Sequence, residues 1–147
     1  MFKVNKLTLI TLSMVFLIFF SSSLVFSMDS GVRFNYLLTT NGLDSKGLPL
    51  KFKREFSLRE DPAVQYYVSW KADNIQHRVL VKWIDPKDRV INQLQLFNFK
   101  QNIVKSYISL KKKAEEQLMV PDQIGTYAIK LYIDGNLAAI TRFKIKK

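Results

Sequence analysis

A catalytic or metal-binding centre needs several reactive side chains brought together, and this chain offers few. It has a single histidine, His77, and no cysteine. Thiolate catalysis and cysteine metal sites are therefore excluded, as is a blue-copper centre, which needs a cysteine and two histidines. An imidazole acting as general base would need a nucleophile and an orienting acid, and nothing in the sequence marks either for His77. It stands between Gln76 and Arg78 just ahead of an apolar alternation, so its expected place is the surface or a strand edge. The acids are scattered. Asp61, Asp73, Asp85, Asp122 and Asp134 each lie beside or near a Pro, Gly or Asn, where turn formation explains them. Glu60 and Asp61, like Glu115 and Glu116, are sequence neighbours, and neighbours on a strand point to opposite faces. A glycosidase-like pair assembled from distant acids stays open, because spatial pairing is not visible in a sequence. No nucleophile elbow, Walker A or dinucleotide-binding pattern occurs, and 5 glycines are too few for a phosphate-cradling loop as well as the turns. The expectation is a protein without enzymatic activity, cofactor or metal.

The chemistry that remains is charge. The formal net charge is +11, of which Lys3 and Lys6 contribute two at the extreme N-terminus. The cations cluster. Lys51, Lys53 and Arg54 share one apolar run, Lys100, Lys105 and Lys111, Lys112 and Lys113 surround another, and Arg142, Lys144, Lys146 and Lys147 end the chain. Lys144 and Lys146 alternate with Phe143 and Ile145 and so face outward from a last strand. Lysines of this kind deter edge-to-edge pairing of sheets, and a basic surplus is also an ordinary solvated surface. The functional alternative makes Lys51, Lys53, Lys111, Lys112, Lys113, Lys144 and Lys146 a candidate surface for phosphate-rich partners such as lipid headgroups, lipopolysaccharide or extracellular nucleic acid. Recognition of a specific nucleic acid is not expected. Tyr67, Tyr132 and Phe97, on the opposite parity to their apolar neighbours, would add an aromatic patch to such a face.

Strands have to position these groups. From residue 31 onward apolar residues recur with period two. Val32, Phe34, Tyr36 and Leu38 line one side of a first strand. Leu50, Phe52, Phe56 and Leu58 share a face of the next, with Arg54 breaking the pattern. Val64 to Trp70, Val79 to Trp83, a less regular Val90 to Leu96, Val104 to Leu110, Tyr127 to Ile133 and Leu137 to Ile145 follow. Asn41-Gly42, Asp61-Pro62, Asp73-Asn74, Asp85-Pro86 and Asp134-Gly135-Asn136 supply the turns. The last predicts a β-hairpin over 127–145. Only 111–118 reads as helical, a turn or two crossing between sheets. Seven to nine short strands with no linker or repeat predict one all-β sandwich over 28–147.

Trp83 follows two inward valines in mid-chain, and Asp122, Gly125 and Tyr127 stand where the penultimate strand begins. This arrangement resembles the core tryptophan and tyrosine corner of immunoglobulin-like domains. Trp83 to Pro86, Gly125 to Tyr127, Tyr132 to Gly135 and Phe143 to Ile145 together resemble the C-terminal half of exported bacterial immunoglobulin-like domains. The resemblance implies an antiparallel sandwich with a buried Trp83 and a Tyr127 hydroxyl bonded upstream near Asp122. These are core and turn motifs, so they imply no particular function.

Residues 1–27 have the layout of a signal peptide. Lys3 and Lys6 precede the uncharged run Leu7–Phe20, the serines 21–23 follow, and Val25 and Ser27 precede a cut before Met28. An uncleaved anchor over 7–26 is the alternative. Either places the domain outside the cytoplasm, periplasmic or secreted, where a chain without cysteine stands on its apolar core alone. The function expected is a non-enzymatic interaction module for another envelope protein. The alternative is a basic domain that binds polyanions or envelope lipids.

Overall fold

The alternating runs become strands because each can bury one face, and two sheets bury their faces against each other. The structure, a computed structural model, describes residues 31–111, 121 and 123–147. The expected leader over 1–27, Asp122, and the helical run beyond Lys111 with Lys112 and Lys113 lie outside the described residues. Among these there are eight strands: β1 (Phe34–Thr40), β2 (Glu55–Ser57), β3 (Ala63–Trp70), β4 (His77–Ile84), β5 (Val90–Phe99), β6 (Ile103–Ser109), β7 (Gly125–Ile133) and β8 (Asn136–Lys146). They form a three-stranded sheet in the order β1-β3-β6 and a five-stranded sheet in the order β2-β8-β7-β4-β5. The protein is thus all-β, with two packed sheets.

The core lies between them. Val64, Tyr66, Val68 and Trp70 of β3, with Val104 and Ile108 of β6, meet Val79, Val81 and Trp83 of β4, Tyr127 to Ile133 of β7, and Phe143 and Ile145 of β8. Each such aliphatic or aromatic side chain contributes about 1.5–3 kcal/mol on burial. Trp83 is 2% exposed. Its ring meets Tyr66 of the opposite sheet at 5.6 Å and Phe143 of its own at 5.9 Å, both edge-on.

The expected hairpin is present. Ile133 pairs with Asn136, and Asp134 and Gly135 between them have φ of 52° and 89°. Positive φ at both central residues is what a type I′ turn requires, and Asp-Gly supplies it cheaply. Two of the motifs meet in space. Gly125 has φ of 144°, and a β-carbon there would lie 2.8 Å from Cγ of Pro86. The proline that ends the β4 motif therefore packs on the glycine that opens the β7 motif. Two residues on, the Tyr127 hydroxyl donates to the Gln123 carbonyl at 2.7 Å, the bond expected of the tyrosine corner.

Several readings need correction. The sandwich is not wholly antiparallel, because β2 runs parallel to β8. Leu50 and Phe52 are exposed, since no strand forms until Glu55. The chain there makes only the isolated bridges Leu43–Pro49 and Thr40–Phe52. Arg54, which broke the alternation, sits at that boundary with its guanidinium 4.9 Å from the Phe52 ring. In β1 a register shift between Phe34 and Tyr36 inverts the parity. Leu37 packs on the core, while Tyr36 stays exposed and stacks on Tyr67 at 5.7 Å. In β5 a shift at the start of the pairing with β4 leaves Val90 exposed, while Leu94 and Leu96 pack inward.

Candidate functional site

The inner residues of β4, β7 and β8 fix where the others point, because side chains on a strand alternate. Val79, Val81 and Trp83 inward send Arg78, Leu80 and Lys82 outward. Ile129, Leu131 and Ile133 inward send Lys130 and Tyr132 outward. Phe143 and Ile145 inward send Arg142, Lys144 and Lys146 outward. Register then places these groups. Lys82 lies directly opposite Lys130. On β8, Arg142 pairs with Ala128 and Lys144 with Thr126, and Lys144 and Lys146 flank β2 through Glu55 and Ser57. The cations therefore run diagonally across the outer face from Arg78 through Lys82 and Lys130 to Lys146. From Lys82 to Lys146 the steps are about 5–8 Å, within a Debye length, so those fields add, whereas Arg78, four residues from Lys82 along β4, stands about 13 Å off at the end of the row.

Few acids oppose them. Among the described residues Lys130, Arg142 and Lys144 make no ion pair, and the salt bridge on this face joins Lys146 to Glu55 at 2.8 Å. That contact holds the Glu55 carboxyl below the usual range and raises the Lys146 ammonium. Like charges directly opposite on a sheet are destabilising, and the Lys82–Lys130 pair is therefore a cost to the fold itself. At the Arg78 end of the diagonal the face hollows into an open groove of about 320 Å³ lined by Arg78, Leu80, Lys82, Gln95, Tyr132 and Gly135. Leu80 faces Tyr132 on one side and Gln95 on the other, and the Lys82 ammonium lies 5.5 Å from the Tyr132 ring centre. The groove pairs two cations with an apolar, aromatic surface.

The seven lysines singled out from the sequence fare differently. Lys144 belongs to the diagonal, and Lys146 joins it while tied to Glu55. Lys53 does not: its ammonium is 2.6 Å from Asp61 and lies over the Phe56 ring at 5.4 Å, so its charge is spent inside the fold. Lys51 is in the irregular segment before β2, and Lys111 follows the end of β6 in the other sheet, both exposed. Lys112 and Lys113 lie outside the described residues. Of the three aromatics, Tyr132 lines the groove and Phe97 is 66% exposed on β5, but Tyr67 is 2% exposed and cannot serve as an open patch. Arg78, Lys82 and Lys130 were missed. Their signal was present in the parity of β4 and β7, but their adjacency required the strand order.

His77 also departs from expectation, being 5% exposed. Nδ1 lies 2.7 Å from Asp134 and Nε2 3.0 Å from Asp73, and the ring packs edge-on to Trp70. Burial is the largest single influence and opposes the charge, but the hydrogen bonds and charges of Asp134 and Asp73 outweigh it and raise the pKa. The Asp73 carboxyl is lowered first by the Ile75 amide and then, against its burial, by His77. That of Asp134 is lowered by His77 and the Arg78 amide in spite of burial. With both nitrogens engaged, the imidazole has no free lone pair for a metal or a substrate proton. It ties the β3–β4 loop and the β7–β8 turn to the start of β4.

No family model matches the sequence, and no curated protein matches it. Among solved structures, an immunoglobulin-like protein from Pseudomonas aeruginosa aligns at 9% identity with a TM-score of 0.48, over 78% of this chain and 96% of that one. The alkylpurine DNA glycosylase AlkC of Pseudomonas fluorescens, solved with DNA containing an abasic-site analogue, aligns at 10% identity with a TM-score of 0.43. That alignment covers 79% of this chain but 30% of the glycosylase.

Proposed function

We propose that this chain is a non-enzymatic interaction module with an immunoglobulin-like fold that works outside the cytoplasm, and that it engages an anionic partner through the outer face of its five-stranded sheet. The observation that carries the reading is the diagonal of Arg78, Lys82, Lys130, Arg142, Lys144 and Lys146, set by strand parity and register and opposed by Glu55 at the Lys146 end and by Asp134 at the Arg78 end. The fold part rests on the buried Trp83, the tyrosine-corner bond of Tyr127 and the Pro86–Gly125 contact. The compartment rests on the signal-like layout of residues 1–27. The absence of a catalytic role rests on His77, whose two nitrogens are both occupied. The expected partner is an envelope protein with an acidic surface. A second reading, a polyanion or anionic lipid, is favoured by the spread of unpaired cations over an open sheet face, which suits a repeating charge.

Salt dependence separates these. The protein should sediment with anionic vesicles or bind heparin at low salt, with affinity falling steeply as salt rises. Replacing Lys82, Lys130 and Arg142 together by Gln should flatten that slope by up to about three units. Capture of an envelope protein that is lost in the triple variant, with no binding to vesicles or heparin, selects the protein partner. A triple variant that binds every tested partner as well as wild type refutes the assignment of this face.

A further inference from the structure

Sheets in natural proteins protect their edges with short strands, charges, prolines, bulges or covering segments. Three of the four edge strands here have such a device along their length, while β5 has irregularities at its two ends alone. β2 is 3 residues long, and β6 carries Lys105 in mid-strand. The free side of β1 is taken at its end, where the Lys53 amide donates to the Thr39 carbonyl and Phe52 bridges Thr40. β5 has the least protection. Its 10 residues, VINQLQLFNF, contain no charge, glycine or proline, in a chain of net charge +11. Among the described residues only β4 pairs with it. Register shifts at both ends of that pairing leave a regular central stretch, Asn92 to Leu96.

The order of residues in β5 is close to a palindrome. Taken about Gln95, Leu94 mirrors Leu96, Asn92 mirrors Asn98, and Ile91 mirrors Phe99, while Gln93 mirrors Phe97. We infer that β5 pairs antiparallel with β5 of a second copy of this chain about a two-fold axis at Gln95, joining the two five-stranded sheets edge to edge. An isologous interface pairs residue i with j and j with i, so a strand that meets itself antiparallel needs this mirrored order. Leu94 and Leu96 stand opposite Val81 and Val79 and point to the inner side, where both are only partly buried. In the dimer each meets the other's counterpart across the seam. Amide faces amide at Gln95. The exposed Phe97 gains the stem of Gln93.

Charge sets the same register. Arg89 and Lys100 flank β5. Centring on Gln95 puts Lys100 opposite Val90 and Arg89 opposite Gln101, whereas a slip of one residue would set Arg89 against Lys100. The outward cations nearest the seam, Arg78 and Lys82, lie on β4. In the dimer they are separated from their counterparts by three strand spacings, about 14 Å, which exceeds the Debye length of about 8 Å at physiological salt. A neutral β5 thus lets two basic faces join without strong repulsion, and the joined face carries the cationic diagonal twice. This assembly does not depend on which partner the face takes.

The chain has no cysteine, so a single introduced one reports alone. In the full chain, Gln95→Cys should form a disulfide-linked dimer under mild oxidation, because its β-carbon would stand about 5 Å from its own counterpart. Tyr107→Cys, exposed on β6, should not. Gln93→Cys and Phe97→Cys should cross-link to each other faster than either does to itself. Wild type should have twice the monomer mass by light scattering, and Gln95→Lys, which sets two charges face to face on an exposed position, should be a monomer with unchanged tryptophan fluorescence. A monomeric wild type at every concentration overturns the proposal. So does cross-linking of Gln95→Cys no faster than that of Tyr107→Cys, or only to a different protein, as does the reverse preference in the Gln93 and Phe97 pair.

Discussion

Substituting Gly125 by Ala tests why the two motifs on β4 and β7 occur together. Two costs can be read from the structure. The backbone φ of 144° belongs to a region that residues with a β-carbon rarely occupy, and holding one there costs about 1–3 kcal/mol. The new methyl would also stand 2.8 Å from Cγ and 3.0 Å from Cβ of Pro86. The prolyl ring is not a flexible chain end that can move aside, and overpacking of this kind costs about 1–3 kcal/mol. Together the loss should be about 2–6 kcal/mol, a large part of a small domain's stability. It should lower the melting temperature by on the order of 10 °C or more. Urea unfolding followed by the fluorescence of Trp70 and Trp83 measures it. The contribution of the contact is isolated by a cycle with Pro86→Ala, which removes Cγ but keeps Cβ. In that background Gly125→Ala should cost about 1 kcal/mol less. A single variant within about 0.5 kcal/mol of wild type, the usual range for a neutral surface change, would refute the conformational argument. A cycle that adds without coupling would refute the contact.

Two tyrosines in the core should respond oppositely to loss of the hydroxyl. Tyr127→Phe removes the bond to the Gln123 carbonyl and should destabilise by about 1 kcal/mol. Tyr66→Phe should be neutral or stabilising, because its buried hydroxyl finds no partner among the described residues and burial holds its pKa far above the ordinary value. Both follow from the same unfolding curves, and equal losses would sink the distinction. The His77 cluster predicts a pH profile. With its pKa raised above the ordinary 6.5, the imidazolium contributes stability that is complete below pH 6.5 and lost as pH rises through the folded value. Asp73 and Asp134, lowered from 3.8, contribute stability that is present above that pH and lost as it falls through their folded values. Wild type should therefore be most stable between these limits, and His77→Gln should remove the decline on the alkaline side. Unfolding midpoints on either side of pH 6.5 that shift equally in wild type and variant would contradict it.

Much of the fold was legible because burial imposes local rules. The alternation of Val79, Val81 and Trp83, of Tyr127 to Ile133, and of Phe143 and Ile145 has period two, and a period of two admits only one way to bury a face. Asp134-Gly135 announced its turn because few other residue pairs tolerate two positive φ values in succession. Where the reading failed, a single extra residue was responsible. The bulge at the start of β1 moved Tyr36 to the outside, and a period-two pattern carries no mark of where a bulge will fall. The irregular segment before β2 left Leu50 and Phe52 exposed for a related reason, since apolar spacing does not say whether a strand finds a neighbour to pair with.

The site was less legible, because adjacency across a sheet depends on strand order. Each outward cation could be found from the parity of its own strand. That Lys82 meets Lys130, and that Lys144 and Lys146 lie on the same face as Arg78, follows from β4, β7 and β8 being neighbours, and strand order is set by the packing of the whole chain. Lys53 shows the converse: its sequence position promised an exposed charge, and Asp61, brought against it across the turn after β2, took that charge into the structure. His77 is the clearest case. Its own surroundings marked it as a surface or strand-edge residue, and only the arrival of the β7–β8 turn, 57 residues away, supplied the second carboxylate against which it is buried and which helps to raise its pKa. The sequence alone determined which residues face inward and where the chain turns, because sterics and burial act over a few neighbouring residues. Which charges stand together was decided by the tertiary structure, because Coulomb interactions depend on distance in space.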